Sequence, residues 1–253
     1  MAHIHGSAGE NALIKALKTR ENLITGMILA FICFSFVFGV LAGMSFSRNQ
    51  TTAWLATLAF VGCFLLCILG KRHLEKFLDE KLRSARAWQK GYEGERVVAK
   101  LLEAELPDGF HVFNDVRFPG RFANIDHLVV GPTGIFVLNT KNWRGSVAWA
   151  DDGQTLLWNG EPEKKNTVKA ALADALDISD KLKTLTNRKY FVKPVLVFPM
   201  AKVSPKLDTV VELQQDDYLV EKRLTWRDKR NALSPKEVDE IVAALCALFR
   251  ESV

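Results

Sequence analysis

The sequence predicts an α/β fold, a mixed sheet flanked by helices, preceded by a transmembrane helical hairpin. Three observations carry this expectation. Two charge-free apolar runs, Leu23 to Phe46 and Thr51 to Gly70, lie in the first 70 residues. Two apolar, β-branched runs, Ile125 to Val130 and Ile135 to Leu138, flank the turn-forming Gly131-Pro132-Thr133-Gly134. Helical periodicities alternate with short strand patterns through the rest of the chain. At 253 residues there is room for one sizeable domain plus extra elements.

About 20 apolar residues cross a hydrocarbon core. Each charge-free run is that long, and only Ser47, Arg48, Asn49 and Gln50 separate them. A cleaved signal peptide fits poorly, because the first run is too long and a second follows at once. The all-round apolar character argues against a pair of ordinary core helices. Lys15, Lys18 and Arg20 precede the first run, Arg48 alone sits in the loop, and a dense basic stretch follows the second. This asymmetry places both termini in the cytoplasm of an inner (plasma) membrane, with the loop outside. Gly39 and Gly43 form a GxxxG that permits close helix approach, within the hairpin or between copies in a homo-oligomer. The expected organisation is a tail over 1–22, the hairpin over 23–70, a basic juxtamembrane helix over 71–90 and the main domain over 91–253.

The net charge of +5 suggests nucleic-acid binding until it is divided along the chain. Residues 71–90 hold 7 basic against 3 acidic side chains, whereas 91–253 hold 23 against 24. The basic excess therefore lies beside the membrane, where it meets anionic lipid headgroups. The main domain is close to neutral, so any nucleic-acid partner needs a local patch. The dense basic cluster of that domain is Lys222, Arg223, Arg227, Lys229 and Arg230, for which a solvated or lipid-facing surface is the blander reading. Of four cysteines, Cys33, Cys63 and Cys67 fall in the apolar runs and Cys246 in a helical stretch, a distribution that indicates no disulfide framework.

In the main domain, Tyr92 to Leu106 reads as a helix closed by Pro107 and Gly109, following a juxtamembrane helix that ends near Gly91. Phe110 to Phe118 alternates as a strand. The 125–138 hairpin follows, then a second hairpin with strands at Gly145–Ala150 and Thr155–Trp158 around Asp151-Asp152-Gly153. Thr167 to Leu185 is helical, Lys193 to Phe198 is a buried strand, and Val210 to Leu213 is a weaker one. Ser234 to Phe249 is a helix with Ser234 as N-cap, Pro235 in the first turn and Glu237 completing a capping box.

Asp126 opens one strand of the first hairpin and Lys141 ends the other, so the two are neighbours at one end of the sheet. Asn139 and Lys141 are two apart and share a face. Glu95 is expected in the first turn of the preceding helix. Carboxylates converging on one strand end suit a hard cation that prefers oxygen ligands, and a nearby lysine stabilises developing negative charge. For Glu95, a metal-ligand role and simple stabilisation of a helix N-terminus stand side by side. His127 alternates away from Asp126 and reads as packing or support. Asn142, Trp143 and Arg144 follow Lys141, and an aromatic beside an arginine grips a nucleic-acid backbone or covers the sheet edge.

Gly91-Tyr92-Glu93-Gly94-Glu95 together with Asn124 to Gly145 resembles the nuclease-related domain, NERD, within the PD-(D/E)XK nuclease superfamily, over residues of about 91–200. The resemblance implies a restriction-endonuclease-like fold and Mg2+- or Mn2+-dependent hydrolysis of phosphodiester bonds, with DNA as the expected substrate. Its motif, an acid, a spacer, then acid-x-Lys, falls on Asp126 and Asn139-Thr140-Lys141. Asp126, Glu95, Asn139 and the Thr140 carbonyl would hold the metal, and Lys141 would act on the water or the transition state. Asn139 departs from the pattern: an amide offers a neutral oxygen and no charge. A second departure is Asn166-Thr167-Val168-Lys169, which lacks the Pro and Gln often found there. The alternative expectation is a weakly active or inactive module that binds nucleic acid or a protein at the membrane.

Overall fold

The structure, a computed structural model, describes residues 2–5, 82–117, 124–204, 210–215, 219–225 and 231–250, with isolated positions at 18, 21, 22, 25, 26, 37, 39 and 80. The expected hairpin over 23–70, including Gly43 of the GxxxG, lies almost wholly outside the described residues. Among the described residues no helix is long and apolar enough to cross a membrane. Most of the 222–230 basic cluster also lies outside them. The chain divides into two compact units, one of residues 13–89 and the other of residues 1–12 with 90–253. In the first, residues 82–89 are helical. The second carries the site and is described below.

Its core is a six-stranded mixed sheet in the order β1-β2-β3-β4-β8-β10. Strand β1 is His3–His5, β2 is His111–Val116, β3 is Ile125–Gly131, β4 is Gly134–Thr140, β8 is Val192–Val197 and β10 is Glu212–Gln214. β2, β3 and β4 form an antiparallel meander. β8 and β10 then run parallel to β4, and β1 runs parallel to β2. A second, four-stranded sheet orders β7-β6-β5-β9, from Gly145–Trp149 (β5), Leu156–Trp158 (β6), Glu161–Pro162 (β7) and Ala201–Ser204 (β9). The expected mixed α/β architecture with flanking helices is present. The strands distribute over two sheets rather than one, because β5 leaves the main sheet and recruits β9 as its parallel neighbour.

Both faces of the main sheet are covered, which explains why β3 and β4 read as nearly continuous apolar runs. On one face, helix α1 (90–105) brings Val98 and Leu102 against Val112, Val129, Phe136 and Leu138. On the other, α2 (Thr167–Thr186) and α3 (Pro235–Arg250) pack Ala175, Ile178, Leu182, Val238, Ile241 and Leu245 against Leu128, Val130, Ile135 and Val137. Side chains at 135 and 137 thus face α2 and α3, and those at 136 and 138 face α1, as pleating requires. At the end of β3, Gly131 lets the Phe110 ring approach closely, where an added Cβ would lie 2.3 Å from a ring carbon.

The expected capping box of α3 is formed. Ser234 N–H donates to Glu237 Oε2 at 2.9 Å, and Glu237 N–H donates to Ser234 Oγ at 3.3 Å. Helix α2 starts differently. Asn166 is left-handed with φ 52 and makes no side-chain cap; instead Glu163 Oε2 accepts from Thr167 N–H at 3.0 Å. Glu163 thus does the work at the position where the sequence departs from its expected Asn-Pro.

Two expectations are corrected. The helix does not stop near Gly91: residues 82–105 are helical without a break. Glu95 therefore sits in the middle of helical residues, and its reading as an N-terminal charge falls away. Glycine inside a helix costs about 1 kcal/mol relative to alanine, and here packing offsets that cost. An added Cβ at Gly94 would lie 2.8 Å from Asn142 Cβ and 3.4 Å from Thr140 Cγ2. Gly94 thus lets α1 settle directly on the end of β4. The strand at His3–His5 is the other difference, in a stretch that the sequence presents as a polar tail.

Candidate functional site

The end of the β3–β4 hairpin gathers side chains from three strands and two helices. Register sets the first three. Strands β2 and β3 pair at Asn114↔His127 and Val116↔Ile125, and the ladder skips the step between, where Asp115 lies across from Asp126. Asp115 is left-handed at φ 54, an unusual conformation inside a strand. The β3–β4 pairing of His127↔Leu138, carried one step on, sets Asp126 opposite Asn139. Asp115, Asp126 and Asn139 therefore form a row across adjacent strands.

Each member is held. Asp126 Oδ2 accepts from Thr140 N–H at 2.6 Å, tying the acid to β4. Asp115 Oδ1 accepts from Asn124 Nδ2 at 2.6 Å. Lys141 N–H donates to Val197 O at 2.8 Å, and its ammonium donates to the Thr140 carbonyl at 3.2 Å. That contact takes one of the Thr140 oxygen's two lone pairs. Glu95 approaches from α1, which Gly94 and the bond from Asn142 Nδ2 to Lys90 O, 2.7 Å, hold against β4.

The electrostatics mark this cluster. Burial raises the Glu95 carboxyl, with further upward push from Asp126 and Asp115, to about 8 against the opposing pull of Lys141. Asp126 is raised as well, first by burial, then by Asp174 and Asp115, opposed by Lys141 and the Thr140 hydrogen bond. At Glu95, burial and the neighbouring carboxylates outweigh the pull of Lys141. Such an arrangement is relieved by a proton or by a cation.

Asn139 is 8% exposed, and its Nδ2 donates to Asp174 Oδ2 at 2.6 Å. Its Oδ1 is buried with no hydrogen-bond partner. Asp174 is 5% exposed and lies on the inward face of α2, beside Ala171, Ala175 and Ile178. Sequence reasoning missed this residue. The one available signal was an acid on the apolar stripe of a helix, at the spacing of its buried positions.

The other expected residues fall as follows. His127 is fully buried, its Nδ1 is 2.7 Å from Asn114 Oδ1, and burial lowers it to about 4. It is therefore a neutral supporting ring whose Nδ1–H donates to the amide oxygen. Asn142 spends its amide on Lys90, as above. Trp143 stacks on Trp158 at 4.9 Å and tilts against Phe198 at 5.3 Å. It packs on the core beneath the second sheet. Arg144 is exposed, and its carbonyl accepts from Trp158 Nε1 at 2.9 Å.

Among the described residues no three His, Cys, Asp or Glu side chains converge closely enough to hold a metal ion. The oxygen set here is two carboxylates, Asp126 and Glu95, and the orphaned Asn139 carbonyl. The orphaned Asn139 oxygen beside two carboxylates with raised pKa values would suit a hard divalent cation, which takes neutral and charged oxygens together.

Residues 90–199 match the nuclease-related domain (NERD) family. An uncharacterized protein of Bacillus anthracis is 36% identical over 59 residues, a stretch that covers 22% of this chain and 28% of that relative. The chain thus spans less than a third of that relative's length. No solved structure matches the chain. The domain at 90–199 carries a nuclease-related assignment, and the residues assembled above fall within it.

Proposed function

We propose that this nuclease-related domain hydrolyses phosphodiester bonds of DNA with Mg2+ or Mn2+, on a chain anchored to the membrane by residues 23–70. The observation that carries the reading is the electrostatic cluster of Asp126, Glu95 and Lys141, with Asn139 beside Asp126 on the neighbouring strand. Asp126 and Glu95 would hold the cation, with Asn139 Oδ1 as a neutral third oxygen. The ion would polarise the phosphate and lower the pKa of an attacking water. Glu95 would have to release its proton to bind a cation, so loading would strengthen as pH rises toward 8. Thr140 N–H keeps Asp126 turned into the site. The Lys141 ammonium, which donates to the Thr140 carbonyl at 3.2 Å, would neutralise charge that develops on the phosphate. Arg144, exposed three residues after Lys141, would contact the nucleic-acid backbone.

The test is cleavage of DNA and RNA of matched sequence by the full-length chain in mild detergent, with Mn2+ and with chelator. Mn2+-dependent cleavage that Asp126→Ala abolishes supports the reading. Cleavage unaffected by chelator and by that variant sinks it. The anchor rests on the two charge-free runs and the basic stretch after them. Release of the chain from membranes by alkaline carbonate would contradict it.

A second reading draws on a different observation. The motif's second acid is an amide, and no three acids or histidines among the described residues converge on a cation. On this reading the fold serves as a binding module for nucleic acid or for a protein partner. It gives no cleavage and no Mn2+-dependent rise in melting temperature.

A further inference from the structure

We propose that Asn139 and Asp174 act as one unit, in which Asp174 orients the Asn139 amide and supplies from α2 the negative charge that position 139 lacks. The inference rests on the phosphodiesterase reading above and deepens it. Three observations support it. The Nδ2 to Oδ2 contact is 2.6 Å, short in the manner of a charge-assisted bond. It takes the nitrogen end of the amide, so Oδ1 is the end left to face other groups, and that oxygen is buried without a partner. Asp174 is 5% exposed on the buried face of α2, beside Ala171, Ala175 and Ile178, a burial rare for an acid without partners.

The arrangement explains how a motif with an amide in an acid's place keeps its electrostatics. Asp174 sits close enough to Asp126 to add to the local negative potential. A cation at Asp126 and Glu95 would feel that charge through the amide, whose oxygen it would meet directly. Asp174 is thus a positioning residue acting through Asn139, as outer carboxylates act on the ligands they orient.

This has a consequence for repair. Asn139→Asp alone does not restore the motif. It sets two carboxylates where one 2.6 Å hydrogen bond stood, so one must take a proton or swing away. Asn139→Asp with Asp174→Asn restores one charge, one amide and one hydrogen bond, with the donor now on α2.

The experiment compares the full-length wild type, Asp174→Asn, Asn139→Asp and the double variant. Mn2+ affinity is read by electron paramagnetic resonance, and melting temperature in chelator. Expected are a tenfold or greater loss of Mn2+ affinity in Asp174→Asn, in line with outer-ligand substitutions, and a lowered melting temperature in Asn139→Asp. The double variant should regain both, to within a few-fold in affinity. Wild type that binds Mn2+ while Asp174→Asn binds it equally overturns the inference alone. So does a double variant no better than Asn139→Asp. Wild type that binds no Mn2+ overturns the phosphodiesterase reading and the inference with it.

Discussion

Replacing Glu95 by glutamine should flatten the pH dependence of stability, and the size of the effect follows from the site. Burial and two neighbouring carboxylates raise Glu95 from 4.5 to about 8. A raised carboxyl binds its proton more tightly in the folded chain than in the unfolded one. Its contribution is therefore present at low pH and is lost as pH climbs from about 4.5 to about 8. At about 1.4 kcal/mol per unit, a fully sealed group would lose near 5 kcal/mol over that window. Glu95 is only partly buried, and screening reduces the expected loss to ~1–2 kcal/mol. For a domain of this size that is roughly 2 to 8 °C in melting temperature. The assay is thermal unfolding of the full chain in chelator from pH 5 to pH 9, beside Glu95→Gln. The wild type should fall more steeply by that margin, and excess Mn2+ at pH 8 should recover it. Asp126, raised by burial and by its neighbouring acids, adds a slope of the same sign in both proteins, so the difference between the two curves reports Glu95. Parallel curves would refute the reasoning, because they would mean that Glu95 does not feel the cluster.

The other predictions follow from packing and from a second titrating group. Gly94→Ala puts a Cβ 2.8 Å from Asn142 Cβ, so α1 must shift; an overpacking cost of about 1–3 kcal/mol is expected, with loss of cleavage, and unchanged activity would show that the close approach is dispensable. Trp143→Ala should cost about 2–4 kcal/mol through lost ring packing on Trp158 and Phe198, whereas Trp143→Phe should keep most activity. A large loss of DNA affinity in a fully stable Trp143→Phe would instead favour a direct nucleic-acid contact. The edge strand β1 should loosen in acid. His3 stacks on His111 at 4.9 Å and His5 on Phe113 at 4.4 Å. Burial lowers His5 and His111, helped by His3 and, for His111, by His5, with Asp239 opposing at His111. A lowered imidazole contributes stability above about 6.5 that is lost as pH falls. Amide exchange in residues 3–5 should therefore quicken between pH 7 and pH 5, and steady protection would contradict this.

The parts of this fold that were legible in the sequence are those governed by local rules. The β3–β4 hairpin is readable because Gly131-Pro132-Thr133-Gly134 interrupts two runs buried on both faces. The start of α3 is readable because Ser234, Pro235 and Glu237 stand at capping spacing. Asp126 and Lys141 are readable because a hairpin brings its two ends together. What escaped depends on long-range pairing. β1 is three residues long and joins β2 across more than 100 positions. Asp174 is 35 residues from Asn139, on a helix whose alanine- and leucine-rich pattern gives no hint of a polar contact inside. Gly91 looked like a helix boundary, yet the helix runs through it, and the role of Gly94 is set by what packs against it. Asn139 seemed to be a missing charge when read within its strand; in three dimensions an acid lies against it.

The most direct test of the central claim separates metal holding from chemistry. Mn2+ affinity and DNA cleavage are measured together on the full-length wild type, Asp126→Ala and Lys141→Ala, each checked for an intact melting transition. The geometry predicts that Asp126→Ala loses both binding and cleavage, while Lys141→Ala keeps Mn2+ within a few-fold of wild type and loses cleavage by at least a hundredfold. Equal cleavage by all three proteins would contradict it.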